Sequence, residues 1–197
     1  MRKRRNRKTV IKDGWIVHNG ERIEICNSDS YGVYKKTVLA FIEQLDAAIQ
    51  IHKRVLVVNL FFSINYYTDT SYTFSKFMKN IKQYLSRNYD IQNVGYQWVR
   101  EQEKAKKQHY HLALILDGDE IQNPRKLNEI IREKWLAWGS IHIPENCFYY
   151  IDKHNHQEER AKAIYRASYM AKSRGKGVRP AQTKDFYCSR LKLKNCA

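Results

Sequence analysis

The 197-residue sequence predicts an α+β domain with a ferredoxin-like βαββαβ core, a mainly antiparallel sheet carrying helices on one face. Three observations predict it. Hydrophobic residues make up 43% of the chain, enough for one sizeable core. Stretches with a helical repeat alternate with short β-branched runs, in the order α-β-α-β-β-α-β-α. Two strand-like runs near the middle are separated only by a short charged turn, which makes them an antiparallel hairpin.

Each element rests on its own residues. Residues 1–8, MRKRRNRK, are a basic run suited to touching phosphates, and no apolar signal-type segment follows them. Asn19-Gly20 between the alternating stretches WIV (15–17) and RIEI (22–25) predicts a small hairpin. Val38, Phe41, Ile42, Leu45, Ala48 and Ile49 recur at helical spacing, so 34–51 is a helix. VLVVNLFF, 55–62, has the length and composition of a buried strand. Thr70 and Ser71 are capping types, and Phe74, Phe77, Ile81, Tyr84 and Leu85 line one face of a helix over 72–88. Residues 93–101 and 108–116 are the paired strands, with 102–107 as their turn and Asp117-Gly118-Asp119 as the stop. Pro124 opens a helix through Trp138, which Gly139 ends. A short strand over 147–151 and a helix over 157–173 follow; 174–197 predicts no element. The expected organisation is an arm and hairpin over 1–30, one domain over 31–190 and a basic tail over 191–197.

The charge argues about partners. Lys plus Arg number 36 against 20 Asp plus Glu, a net +16. Nucleic acid is the partner that such an excess suits, because phosphate neutralisation supplies most non-specific binding energy. Cys26, Cys147, Cys188 and Cys196 are scattered and form no CxxC pair, so neither a disulfide framework nor a zinc knuckle is expected. They read as reduced thiols of a cytoplasmic protein. No stretch approaches the length of a membrane span, so no membrane association is expected.

The chemistry-bearing stretch is KKQHYHLALIL, 106–116. Strand side chains alternate. His109, His111 and Ala113 therefore share one face, while Tyr110, Leu112, Leu114 and Leu116 pack under the helices on the other. Two imidazoles side by side on an open face suit a divalent ion, and a third, harder ligand is expected with them. Glu101, folded back by the hairpin, is the first choice; Glu103, in the turn, is the second. An oxygen beside two imidazoles suits Mg²⁺ or Mn²⁺ better than structural zinc. A second HxH, His154 and His156, reads as loop.

The second constellation is IYRASYMAK, 164–172. At helical spacing Tyr165, Tyr169 and Lys172 line one stripe, beside a stripe of Ala161, Ile164, Ser168 and Ala171. A phenol at the rim of a packed surface is a usable nucleophile toward an activated phosphate. A lysine one turn on supplies positive charge.

Together, His109-Tyr110-His111 on a strand and Tyr169-Met170-Ala171-Lys172 on a later helix resemble the HUH endonucleases. With WVRE (98–101) upstream and HYHLALIL before an acidic turn, the likeness is to the inovirus replication-protein family, also called the YagK/YfjJ C-terminal domain family, over roughly 35–190. The resemblance implies an HUH/Rep-type fold and a metal-dependent nickase that initiates rolling-circle replication of a phage, plasmid or integrated element. Its implied product is a 5′-phosphotyrosine link with a free 3′-OH. Tyr169 is favoured as nucleophile over Tyr165 by its lysine three residues on. The implied partners are single-stranded or hairpin origin DNA and, since no GxxxxGK[ST] occurs, a separate host helicase; no small-molecule substrate is expected. Lys104, Lys106, Lys107, Arg166, Arg174 and Lys176 are the expected DNA-contacting residues, with Arg179, Lys184, Arg190, Lys192 and Lys194 further along the tail. The rival readings are an HUH transposase or relaxase, and a non-catalytic DNA-binding regulator on the same scaffold.

Overall fold

The computed structural model describes residues 9–26, 31–102, 107–152, 156–177, 180 and 183–191. The N-terminal arm, Glu103, Lys104, Lys106, His154, Arg179, Lys192 and Lys194 lie outside them.

A long central strand organises the molecule. This is β5 (Arg54–Ile64), preceded by the short strands β1 (Val10–Ile11), β2 (Trp15–His18), β3 (Glu21–Glu24) and β4 (Val33–Tyr34) and by helix α1 (Lys35–Ile51). After β5 come α2 (Tyr72–Tyr89), β6 (Gly95–Glu101), β7 (His109–Asp117), α3 (Arg125–Trp135), β8 (Gly139–His142), β9 (Phe148–Asp152), α4 (His156–Ser168) and β10 (Phe186–Cys188). β7 pairs with one edge of β5; β8 and β9 share the other, beside residues 61–64 and 54–58. β6 lies outside β7, and β10 outside β6. Every pairing in this six-stranded sheet is antiparallel. The unit β5-α2-β6-β7-α3-β9, with spatial order β6-β7-β5-β9, is the βαββαβ core that the sequence predicts.

β5 is apolar on both sides because both sides are covered. Leu56, Val58, Leu60, Phe62 and Ile64 pack with Phe74, Phe77, Ile81 and Leu85 of α2 and Leu127, Ile131 and Trp135 of α3. Val55 and Val57 face the other way, into a second cluster with Val38, Phe41, Ile42 and Leu45 of α1 and Ala163, Ile164 and Ala167 of α4. The two helices of the βαββαβ unit thus share one face, as expected, while the flanking helices α1 and α4 cover the opposite one.

Four further expectations are corrected. The β2–β3 hairpin turns at Asn19 and Gly20, both at positive φ, as predicted. It is nonetheless no appendage, because Ile16, Ile23 and Ile25 are buried in the second cluster. α3 stops at Trp135, and Gly139 begins β8 rather than closing the helix. The tail contributes β10, which seals the β6 edge. α4 ends at Ser168; Tyr169–Ala171 is a 3-10 turn and Lys172 is extended. The Ser168 hydroxyl donates to the Tyr165 carbonyl (2.7 Å) and accepts from the Cys26 amide (2.7 Å), so local back-bonding and the segment after β3 meet where the helical run ends.

Candidate active site

The odd-numbered face of β5 changes character along its length. Val55, Val57 and Asn59 are buried under α1 and α4, but Phe61 and Ser63 are only half-buried. The cover therefore runs out toward the end of β5, and at that end β7 places its histidines. Phe61 lies opposite His111 and Ser63 opposite His109. Across β7, Val99 faces His111 and Glu101 faces His109. The alternation read from the sequence holds: Tyr110, Leu112, Leu114 and Leu116 sit in the α2/α3 core, and Ala113 in the α1/α4 core with the histidines on its side.

Glu101 is the hub. Its Oε2 lies 3.1 Å from His111 Nε2 and its Oε1 accepts from the Lys176 ammonium at 2.6 Å. Burial pushes the Glu101 carboxyl up, but His111 and Lys176 outweigh it and hold the group down at about 2. The Lys176 side chain is 2% exposed. Its burial lowers its own pKa, against the pull of Glu101. Lys176 was expected to contact DNA; instead its charge is committed inside the site. The tail segment is docked to deliver it, with Gln102 N donating to Gly175 O (2.8 Å) and Ser173 N to Gly32 O (2.9 Å). Gly175 takes a positive φ of 71° in that turn.

His111 meets two other rings. Phe61 is edge-on at 4.7 Å, and Tyr169 lies with its ring centroid 6.5 Å away. The 3-10 turn after α4 thus brings Tyr169, 37% exposed, to the imidazole face of the sheet. The Lys172 ammonium stands 3.3 Å from the Tyr169 ring centroid. Tyr165, one helical turn earlier, is 44% exposed and belongs to α4 itself, so the single stripe through Tyr165, Tyr169 and Lys172 does not form. Ala161, expected on the packed stripe, is exposed. Of the expected basic residues, Arg166 is half-buried with its guanidinium 5.9 Å over the Phe61 ring, beside the site. Arg174 is exposed, 5.7 Å over the Tyr31 ring, and Lys107 is exposed before His109.

The Glu101–His111 pair offers one oxygen and one nitrogen donor of the kind a divalent ion takes. Two donors about 2.1 Å from one ion and at right angles sit ~3 Å apart, so the Glu101–His111 spacing suits a shared cation as well as a hydrogen bond. His111 Nδ1 is buried and has no hydrogen-bond partner among the described residues. His109, on the same face, has Nδ1 3.4 Å from Ser63 Oγ. No three His, Cys, Asp or Glu side chains among the described residues converge as a complete ligand set. The protein thus holds a Glu101–His111 pair with His109 beside it and a lysine on the carboxylate.

Two residues beneath the site escaped the sequence reading. Asn59 and Gln97 flank Ala113 in register, one row inward from His111. Both are fully buried, and their side-chain amides lack partners among the described residues. Asn59 carried a signal, being the one polar residue in VLVVNLFF. Elsewhere Cys26, Cys147 and Cys188 are free thiols, and burial pushes Cys188 up to about 12, so it stays protonated.

No helix among the described residues is long and apolar enough to cross a membrane. No solved structure matches the chain. The uncharacterized protein YagK of Escherichia coli strain K12 is 26% identical over 113 residues, 49% of this chain and 54% of that protein. The chain therefore spans about half the length of this curated relative. The YagK/YfjJ C-terminal domain matches residues 17–189, nearly the whole described fold with its Glu101–His111 pair and Tyr169, and the chain belongs to that family.

Proposed function

We propose that this domain is an HUH-type DNA endonuclease that nicks and rejoins one strand through Tyr169, initiating rolling-circle replication of a phage, plasmid or integrated element. One observation carries the reading: a phenol from the turn after α4 and an imidazole–carboxylate pair from the β6–β7 hairpin meet on one open face, with 6.5 Å between the Tyr169 and His111 rings. Residues so far apart in sequence share that face only because α4 packs across the sheet.

In this reading Glu101 and His111, with His109 beside them, hold Mg²⁺ or Mn²⁺, which when bound draws charge off the non-bridging oxygens of a phosphate. Tyr169 Oη attacks phosphorus as its proton passes to water. A phosphorus–oxygen bond to tyrosine forms, the bond to the 3′ oxygen breaks, and that oxygen takes up a proton to leave a free 3′-OH. The strand is held as a 5′-phosphotyrosine, and the reverse reaction rejoins it without ATP. Lys172 places positive charge beside the phenol where negative charge passes through. The single or hairpin strand is the partner, and a separate helicase supplies unwinding.

One observation favours a second reading, a DNA-binding regulator without catalysis. Lys176 already satisfies the second oxygen of Glu101, so the cluster is charge-balanced as it stands. One experiment separates the two. The full chain is incubated with Mn²⁺ and single-stranded oligonucleotides, and covalent adducts are sought on a denaturing gel. The nickase reading expects an adduct that Tyr169→Phe abolishes and Tyr165→Phe retains. Lys172→Ala is expected to slow adduct formation by roughly 10²–10³-fold, the cost of losing one preorganised stabilising group. DNA binding with no adduct on any substrate, unaffected by His109→Ala, establishes the regulator instead.

A further inference from the structure

The loop after β5, NYYTDTS at 65–71, leaves Tyr66 44% and Tyr67 56% exposed. Bare aromatic rings in water are expected on a mobile loop, but this one is fastened at both ends. Ile64 N donates to Gln108 O at 3.3 Å. Thr68 N and Oγ1 donate to Gln108 Oε1 at 3.3 and 2.8 Å, and Gln108 Nε2 donates back to Thr68 O. Residues 65–67 are thus an excursion with both ends tied to Gln108, the residue before His109. Arg100 Nη2 donates to the same Thr68 carbonyl at 3.0 Å. Asn65 N donates to Trp138 O at 2.9 Å, and Thr183 Oγ1 donates to Asp69 O.

These fasteners are costly. Gln108 is fully buried and Arg100 is 2% exposed. Burying such groups disfavours folding unless they are partnered; Gln108 finds its side-chain partners in the loop, and Arg100 divides its bonds between the loop and Gln102. The result is two aromatic rings on a fixed ledge at the end of β5 and β7 where His109 lies, anchored through Gln108 and Arg100 of the α2/α3 face. The Asp69 carboxylate beside Tyr67 raises its phenol above the ordinary range, so that ring stays neutral. A held ring loses little freedom when a ligand stacks on it. The ligand should be a polyanion, to suit a net charge of +16, and should present flat apolar faces. Unpaired nucleobases on a single strand meet both conditions, whereas a duplex hides its base faces inside the stack.

We infer that Tyr66 and Tyr67 form a stacking ledge for unpaired bases of the DNA strand that enters the Glu101–His111–Tyr169 site. The identity of the strand rests on the nicking reading; the stacking does not.

Binding of the full chain is measured by fluorescence anisotropy, with a single-stranded oligonucleotide and with an abasic strand of equal length and charge. Tyr66→Ala/Tyr67→Ala is expected to weaken binding of the base-bearing strand about tenfold, the order of one lost base–aromatic stack, and to leave the abasic strand unchanged. Tyr66→Phe/Tyr67→Phe keeps the rings and is expected to bind the base-bearing strand like the native chain. No loss in the alanine variant, or equal loss on both strands, overturns the ledge. So does failure of the phenylalanine variant to bind, which would assign the effect to the hydroxyls. The adduct gel is run in parallel. Adduct formation with no alanine effect removes the ledge and leaves the nickase. The stacking effect without any adduct removes the nickase and leaves the ledge.

Discussion

The Lys176 ammonium lies 2.6 Å from Glu101 Oε1 with almost none of its side chain in water. A buried charge of that kind depends on its partner staying in place. Replacing it with an apolar side chain of similar length, Lys176→Met, leaves the Glu101 carboxylate with His111 alone. Because Glu101 keeps a quarter of its surface in water, the expected loss is about 1–3 kcal/mol, below the full cost of an orphaned buried charge. Urea denaturation at neutral pH measures it, and an unchanged midpoint would show that the pair contributes nothing net. Glu101 also sets an acid limb. Its folded pKa of about 2 lies below the ordinary 4.5, so its contribution is complete above about 4.5 and is lost as the pH falls toward 2. Glu101→Gln should flatten that part of the curve, as read from thermal midpoints taken between pH 5 and pH 2. The carboxylate and the histidines could be read from sequence because strand alternation and hairpin register are local. Lys176 could not. Counted among basic residues it suggests a DNA contact, and only the fold of the tail back onto β6 reveals its partner.

Helices and long strands follow from periodicity; their ends and edges follow from contacts made elsewhere. The hydrophobic repeat runs on through Lys172, yet α4 stops at Ser168, where the Cys26 amide claims its hydroxyl and Lys172 bridges to Val33. β8 and β10 are four and three residues long, too short for alternation to mark them. That early stop carries Tyr169 off the helical stripe and to the sheet, so the placement of α4 controls the site. Arg160 fixes that placement. Its Nε and Nη2 donate to the two Asp46 oxygens of α1 at 2.7 and 3.0 Å, and Nη1 donates to Glu21 of the β2–β3 hairpin at 3.1 Å. Arg160→Ala removes a bidentate clamp from a largely buried position and should cost about 2 kcal/mol, with Asp46 rehydrating in part. It should also lower adduct yield at temperatures where the variant is fully folded, because Tyr169 loses its anchor. A stability loss without a change in adduct yield would show that α4 is held by its apolar face alone. Gly139 is as sensitive for another reason. A Cβ there would run into the Ser63 carbonyl, which pairs with β8, accepts from Trp135 Nε1 at 3.0 Å, and belongs to the residue facing His109.

The molecule is charged unevenly along β5 and β7. At the end away from His109, Asp117 binds His52 at 2.8 Å, and Arg54 pairs with Asp119 at 3.2 Å and Asp152 at 3.5 Å. Those carboxylates offset the cations around them. At the His109 end the exposed Lys107 and the half-buried Arg166 stand near an open imidazole face, and Glu101 there is already neutralised by Lys176. If the proposed single strand is the partner, its phosphates should be drawn to the end that carries Tyr169 and the Tyr66–Tyr67 ledge. Among the described residues there, Lys107 and Arg166 outnumber the unpaired acids only if Asp69 stays bound to Tyr67. The consequence is measurable as counterion release. For a single strand the logarithm of affinity should fall linearly with the logarithm of salt, with a slope of about −3.5 if some five phosphates are neutralised. Because the ledge contributes stacking rather than charge, Tyr66→Ala/Tyr67→Ala should lower affinity at every salt concentration and leave that slope unchanged. A change of slope in this variant would mean that the tyrosines act by steering phosphates, and a flat profile in the native chain would mean that the net charge of +16 serves some purpose other than holding DNA.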